Sequence, residues 1–153
     1  MQASPFRPLT LRHPSPFPYI VFAGPCSAET EAQTLATAEA LRARGIRLFR
    51  ASLWKPRTRP GSFEGVGSEG LPWLQRVEHE LGMQVATEVA SASHVEEALA
   101  AGLDTFWIGA RTTTSPFAMA ELAEALSGER VTVLVKNPLN PAIELWEGAV
   151  LRL

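Results

Sequence analysis

Five short apolar runs, at residues 19–23, 47–51, 84–88, 105–108 and 131–135, alternate with five longer segments whose apolar residues recur at helical spacing, at 31–44, 71–81, 94–101, 116–126 and 141–153. That alternation restricts the fold severely. Strands joined by helices run parallel, and strands covered by helices on both faces read as continuous apolar runs. The ends of the segments carry their own signals. Gly45, Gly82, Gly102 and Gly128 each fall just past a helical run, where a left-handed residue closes the last turn. Thr30 with Gln33, and Ser93 with Glu96, have capping-box spacing, while Ser115-Pro116 and Asn140-Pro141 place a capping side chain before a proline suited to the first helical position.

Two α/β architectures accommodate five such units. A flavodoxin-like open sheet is complete at about five strands, whereas a (β/α)8 barrel runs to about 250 residues. At 153 residues the chain has the length of the former. The placement of charge argues for the latter. Arg50 ends the second run and is followed by Lys55 and Arg57; Arg111 follows the fourth run, and Lys136 follows the fifth. Charged groups at successive strand ends converge only if the sheet curves around them, so a barrel of parallel type, truncated after about five β/α units, is the expected fold. The partition expected is a Pro-rich arm over residues 1–18, with a short edge strand at 6–11, followed by one barrel-type domain over 19–153. Five of the twelve prolines lie in that arm.

The cations are concentrated in a chain whose formal net charge is only −2. Mixed charge without a basic excess argues against a nucleic-acid surface and directs the clustered arginines towards small anions. The single cysteine, Cys26, cannot form an intramolecular disulfide, which suits a reducing compartment. No apolar run reaches the roughly 18 residues of a membrane span, and the chain does not open on a targeting pattern. A cytoplasmic protein that binds neither membrane nor nucleic acid is expected.

Several motifs then follow one another in a distinctive order: Gly24-Pro25-Cys26-Ser27, Arg50 with Lys55-Pro56-Arg57-Thr58, Gly65-Val66-Gly67 with Glu69-Gly70-Leu71, Thr87-Glu88-Val89, Ile108-Gly109-Ala110-Arg111 and Val135-Lys136. In this the chain resembles the N-terminal part of the 3-deoxy-D-arabino-heptulosonate 7-phosphate synthases of class I, from about residue 19 onwards. Arg59-Pro60-Gly61, Arg111-Thr112-Thr113 and Lys136-Asn137-Pro138 look closest to the branch fused to a chorismate mutase. The resemblance implies a barrel enzyme that condenses phosphoenolpyruvate with erythrose 4-phosphate at the entry to the shikimate pathway, with a divalent metal (Mn, Fe, Co or Zn). It implies that Arg50, Lys55, Arg111 and Lys136 hold the phosphate and carboxylate of phosphoenolpyruvate, with Glu88 and the Gly109-Ala110 backbone beside them. Lys55, Pro56, Arg57 and Thr58 would line the aldose phosphate site, Lys55 would also carry the proton, and Cys26 would be a metal ligand. The family's other metal ligands, a His, a Glu and an Asp, come from its sixth to eighth strands. His13, His79 and His94 lie in the arm or in helical segments and cannot replace them. Lys136-Asn137-Pro138 and Ala51-Ser52 also depart from the commoner Lys-Arg-Gly and paired glycines.

Each of these residues has a plainer reading. A lone cysteine is usually a small buried hydrophobe, a lone arginine usually pairs with a helix carboxylate, Glu88 could simply bond a lysine, and Trp54, Trp73, Trp107 and Trp146 read as packing. Shared placement after strands shifts the balance towards a site. Within the enzymes, 3-deoxy-manno-octulosonate 8-phosphate synthase is the rival, and Lys55-Pro56-Arg57-Thr58 stands where that relative carries Lys-Ala-Asn. Outside them, a partial barrel could bind phosphate ligands without catalysis or associate with another chain. Little activity is expected of the chain alone, and its open strand edges favour a homo-oligomer or a complementing chain.

Overall fold

The structure is a computed structural model and describes Arg12 and residues 18–55, 57–140 and 142–153. The edge strand expected at 6–11 falls outside the described residues, as does the rest of the expected arm apart from Arg12 and Pro18. The elements are β1 (Phe22–Ala23), α1 (Glu31–Ala43), β2 (Leu48–Arg50), α2 (Leu71–Leu81), β3 (Gln84–Val89), α3 (Ala92–Ala100), β4 (Thr105–Ile108), α4 (Pro116–Leu126), β5 (Thr132–Val135) and α5 (Ile143–Arg152), with one 3-10 turn at Gly67–Gly70 before α2. All four strand pairings are parallel and the order is β1-β2-β3-β4-β5. This consecutive order decides between the two architectures. A doubly wound sheet reverses direction at a switch point, whereas a barrel adds each strand beside the one before it.

Side chains alternate across the sheet because successive residues of a strand face opposite sides. Phe49, Val85, Phe106 and Ile108 join Leu74, Val77, Val95, Met119 and Leu122 in the core between sheet and helices. Each buried Leu or Phe contributes roughly 1.5–3 kcal/mol relative to exposure. The other face carries Phe22, Arg50, Ala86, Trp107, Leu134 and Lys136, which line a concave cleft of about 260 Å³. All six residues of β3 are buried, as a central strand covered on both sides requires. On the outside, the Arg12 guanidinium bonds Glu78 at 2.6 Å and Asp104 at 3.0 Å, tying the start of the chain to α2 and to the residue before β4.

The helix ends follow local chemistry. Thr30 caps α1 by accepting from the Gln33 N–H, and Ser115 caps α4 by accepting from the Ala118 N–H. Gly45, Gly82, Gly102 and Gly128 all have positive φ, as left-handed closing residues do. Most boundaries lie within one residue of the sequence reading, and three starts differ by more. Ser91, not Ser93, caps α3, because its extended backbone (φ −148, ψ 165) aims its hydroxyl at the His94 N–H. Asn140 does not cap α5, whose first residue follows Ala142 without a side-chain cap; Pro141 lies outside the described residues. β1 is two residues long rather than five, since pairing with β2 begins only at Phe22.

His94 does a structural job that its place in a helix did not announce. Its ring stacks on Trp54 with centroids 4.4 Å apart and planes 10° from parallel, and its Nδ1 accepts the Ala90 N–H at 3.2 Å. Burial lowers its pKa against the opposing pull of Glu97 and Glu121. The folded state therefore prefers the neutral ring, and the unfolded chain binds the proton more readily. Stability is undiminished above the unfolded value of about 6.5 and falls as pH drops from there through the lowered folded value. Thermal unfolding followed between pH 8 and pH 5 should show this decline, and His94→Phe, which keeps a ring but cannot titrate, should flatten it.

Candidate active site

The carboxyl ends of the five strands lie at one end of the sheet, and the sequence-derived candidates sit there. Gly24 follows β1 with φ +154, and a Cβ at that position would run into the Arg50 carbonyl. Only glycine lets the β1 exit pass so close to β2. Two further bonds join these exits, from the Ala28 N–H to the Ser52 carbonyl at 3.0 Å and from the Ser27 hydroxyl to the same oxygen at 3.5 Å. Cys26 is thereby held against the loop after β2. Lys55 Nζ donates to the Cys26 carbonyl and lies against the Cys26 Sγ, both at 2.9 Å.

Cys26 is exposed, and its thiol pKa is lowered, first by the bond from Lys55 and then by the positive charges of Lys55, Arg50 and Arg57, against the opposing effect of partial burial. A sulfur next to an ammonium favours the thiolate, the form that binds metal or reacts. Three of the five cations thus act on one atom.

The loop after β2 folds back on itself. The Lys55 N–H donates to the Glu64 carbonyl at 2.8 Å, and Arg57 Nε donates to the Phe63 carbonyl at 2.8 Å. Pro56 lies outside the described residues. Arg111 reaches across from the loop after β4 and donates from Nε to the Thr58 hydroxyl at 3.1 Å. That bond draws the fourth-strand cation to the second-strand loop. The turn carrying Gly109, Ala110 and Arg111 is closed by the Thr113 N–H and hydroxyl, which both bond the Gly109 carbonyl.

Glu88, buried on β3, accepts from the Ser52 hydroxyl at 3.3 Å. Its carboxylate packs on Gly109 so closely that a Cβ there would collide with it. The plain expectation that Glu88 bonds a lysine is not what the structure shows; its partner is a serine. Lys136 is placed by its N–H bond to the Ile108 carbonyl at 3.1 Å. Its ammonium lies 5.5 Å from the Trp107 ring centroid, and the Arg50 guanidinium lies 4.4 Å from it. The five cations therefore form two linked groups: Lys55 and Arg57 around Cys26 with Arg111 attached through Thr58, and Arg50 with Lys136 about Trp107, Arg50 acting on both.

The comparisons can now be set beside this geometry. The model of the DAHP synthetase I family matches residues 16–152. The chain belongs to that family. It is 37% identical over 93 residues to a phospho-2-dehydro-3-deoxyheptonate aldolase of Thermotoga maritima, covering 61% of this chain and 27% of the relative. It is also 40% identical over 88 residues to a 2-dehydro-3-deoxyphosphooctonate aldolase of Geotalea daltonii, covering 53% of this chain and 32% of the relative. The crystal structure of phospho-2-dehydro-3-deoxyheptonate aldolase from Thermotoga maritima superposes with a TM-score of 0.74 at 27% identity, over 88% of this chain and 37% of that one. This family member thus spans about a third of the length of the relatives it matches, and its five consecutive parallel units correspond to part of their barrel.

The divalent metal that the family implies does not fit on the residues present. Among the described residues no three His, Cys, Asp or Glu side chains come together, and His79 and His94 lie on α2 and α3, as expected. Cys26 offers one soft donor. Ser52 and Trp107 line the same region and were not among the sequence-derived candidates; the signals available were a hydroxyl two residues after Arg50 and a tryptophan one residue before the Ile108-Gly109 exit.

The Lys55–Cys26 contact generates a direct expectation. Alkylation of Cys26 by iodoacetamide, followed against pH, should have a midpoint below that of a free thiol. Lys55→Met should move the midpoint up, because it removes the largest cause of the lowering. A midpoint that stays put in the variant would show that Lys55 does not set the thiolate.

Proposed function

We propose that this chain carries the phosphoenolpyruvate-binding part of a 3-deoxy-7-phosphoheptulonate synthase, a cytoplasmic transferase of the shikimate pathway. The observation that carries the reading is the pair Arg50 and Lys136, aimed into one cleft at the carboxyl end of a barrel-type sheet, beside a loop bearing Lys55, Arg57 and Thr58. Such a cleft suits an anion with a phosphate at one end and a carboxylate close by. In this reading Arg50, Lys55, Arg111 and Lys136 bind phosphoenolpyruvate, with Glu88, Gly109 and Ala110 beside it. Lys55, Pro56, Arg57 and Thr58 receive the aldose phosphate, and Cys26 is reserved as one ligand of a metal completed by residues outside this chain.

The reaction joins C3 of phosphoenolpyruvate to the aldehyde carbon of erythrose 4-phosphate. Water adds at C2 to give a tetrahedral carbon bearing a hydroxyl and the phosphate; the bond from C2 to the phosphate oxygen then breaks as the hydroxyl loses its proton and becomes the ketone, so that one water is consumed for each inorganic phosphate released. Two polyanions must be brought within bonding distance, and holding reactants in place can contribute roughly 7–11 kcal/mol to such a step. Fixed cations offset the repulsion between them. Lys55, sharing its proton with Cys26, is the group suited to move a proton to the new alkoxide.

A second reading has its own support, because relatives named as octulosonate aldolases match over half of this chain. A seven-carbon product takes a four-carbon aldose phosphate, whereas an eight-carbon one takes a five-carbon aldose phosphate. The Lys55-Pro56-Arg57-Thr58 loop favours the shorter sugar.

Calorimetric titration of the chain with phosphoenolpyruvate should reveal binding, weakened about tenfold or more by Arg50→Ala, as expected for loss of a charge-assisted bond. Unchanged affinity in that variant would remove the basis of the assignment. Loss of phosphoenolpyruvate absorbance with manganese and erythrose 4-phosphate should be slight for the chain alone. If turnover appears, arabinose 5-phosphate offered in its place should react more slowly.

We also propose that the chain does not remain monomeric. β1 and β5 each have a single neighbouring strand among the described residues, and Leu139, Ile143 and Leu151 near the β5 side are 61–73% exposed. Unpaired edges and contiguous apolar surface favour association. Light scattering at rising concentration should report a dimer or larger species, and a monodisperse monomer would contradict this.

A further inference from the structure

We infer that Trp107 is a positioning residue: its indole holds Arg50 and Lys136 at the cleft in the arrangement that receives the phosphoenolpyruvate anion. The inference rests on the phosphoenolpyruvate-binding reading above and deepens it.

Trp107 is 4% exposed, yet it does not belong to the core between sheet and helices that its neighbours Phe106 and Ile108 join. It faces the cleft with Phe22, Arg50, Ala86, Leu134 and Lys136. Arg50 comes from β2 and Lys136 from the exit of β5, on opposite sides of β4 in the strand order. Their charged groups approach the ring to 4.4 and 5.5 Å, within the range over which an aromatic face attracts a cation.

Two like charges sharing a cleft repel, and among the described residues neither is answered by a carboxylate. The ion pairs there involve Arg12 and Arg76. Arg50 Nε and Trp107 Nε1 are buried without a hydrogen-bond partner. Two such donors are costly to leave unanswered. The negative face of the indole offers compensation to the guanidinium in the free protein, while the indole's own N–H has none among the described residues. The ring face fixes the guanidinium without taking up its outer N–H groups, as a carboxylate would. A carboxylate in place of Trp107 would neutralise the cations and compete with the ligand; an aliphatic residue would leave them to swing apart.

The test uses Trp107→Phe and Trp107→Met, which have side chains of similar size, only one of them aromatic. Proton–nitrogen NMR of Arg50 Nε–H in the free protein reads the contact directly, because a guanidinium over a ring is shifted upfield. The shift should persist in Trp107→Phe and vanish in Trp107→Met. Phosphoenolpyruvate titration should give Kd within about threefold of the parent for the former, and about fivefold to tenfold weaker for the latter. Equal affinities in the two variants, with matching thermal midpoints, would reduce Trp107 to packing and overturn the inference. An Arg50 resonance without ring shift in the parent chain would overturn it too. If the parent shows the ring shift but binds no phosphoenolpyruvate, the functional reading fails and the role inferred for Trp107 in receiving that anion fails with it, while the cation contact itself stands. If the variants do not fold, the NMR shift of the parent and its further change on adding phosphoenolpyruvate decide: movement of the Arg50 resonance supports the inference, and its absence while binding occurs rejects it.

Discussion

Consecutive parallel pairing is the constraint on which the rest of this structure depends. Because the strands are all parallel, every exit loop opens at the same end of the sheet; because each lies beside its predecessor, successive exits are neighbours, and the two-residue period of the strands assigns one side chain in two to the cleft. Arg50, Ala86, Trp107 and Leu134 share that face without any of them being near another in sequence. Once the order is set, a cation at a strand end has nowhere else to go. The registers complete the arrangement. Glu88 stands opposite Trp107 across the β3–β4 ladder, and Trp107 opposite Leu134 across the next.

The electrostatics of the cleft differ from those of the outer surface. Outside, Arg76 is held between Glu31 and Glu80 at 2.7 Å each, and Arg12 between Glu78 and Asp104. These exposed pairs are satisfied and contribute little individually. Inside, Arg50 and Lys136 have no acidic partner among the described residues, and Lys55 leans on a thiol rather than a carboxylate. A chain with 16 acidic side chains against 14 Lys and Arg is not short of acids with which to neutralise its cleft. Leaving two cations without an acidic partner costs stability.

Much of this was legible in the sequence because its causes are local. Apolar periodicity marks α2 and α4 to the residue, and Thr30 and Ser115 cap the helices they precede. The order of the strands was reachable only indirectly, through the cations that had to converge. What remained hidden depends on contacts across elements. Ser93 and Glu96 have the spacing of a capping box, yet Ser91 takes the position because the chain leaves β3 in extended form and the Ala92 N–H is claimed by Glu121 at 2.8 Å. Trp107 reads as core from composition. Only the pleat of β4 shows that it turns to the cleft while Phe106 and Ile108 turn away.

Ser52 shows why a departure from a family pattern need not weaken a site. Glycine in its place would offer no side chain, whereas Ser52 is fully buried and its hydroxyl meets both the Trp54 carbonyl and Glu88. Glu88 in turn presses on Gly109, where no side chain could be admitted. The serine therefore ties the second-strand loop to the third strand, and through Glu88 to the turn that carries Arg111. Arg111 closes the circuit by bonding Thr58, on the same loop that Ser52 begins. A ring of contacts running through β2, β3 and β4 thus joins the loops that carry Lys55, Arg57 and Arg111, with backbone bonds such as that from the Lys55 N–H to the Glu64 carbonyl completing it.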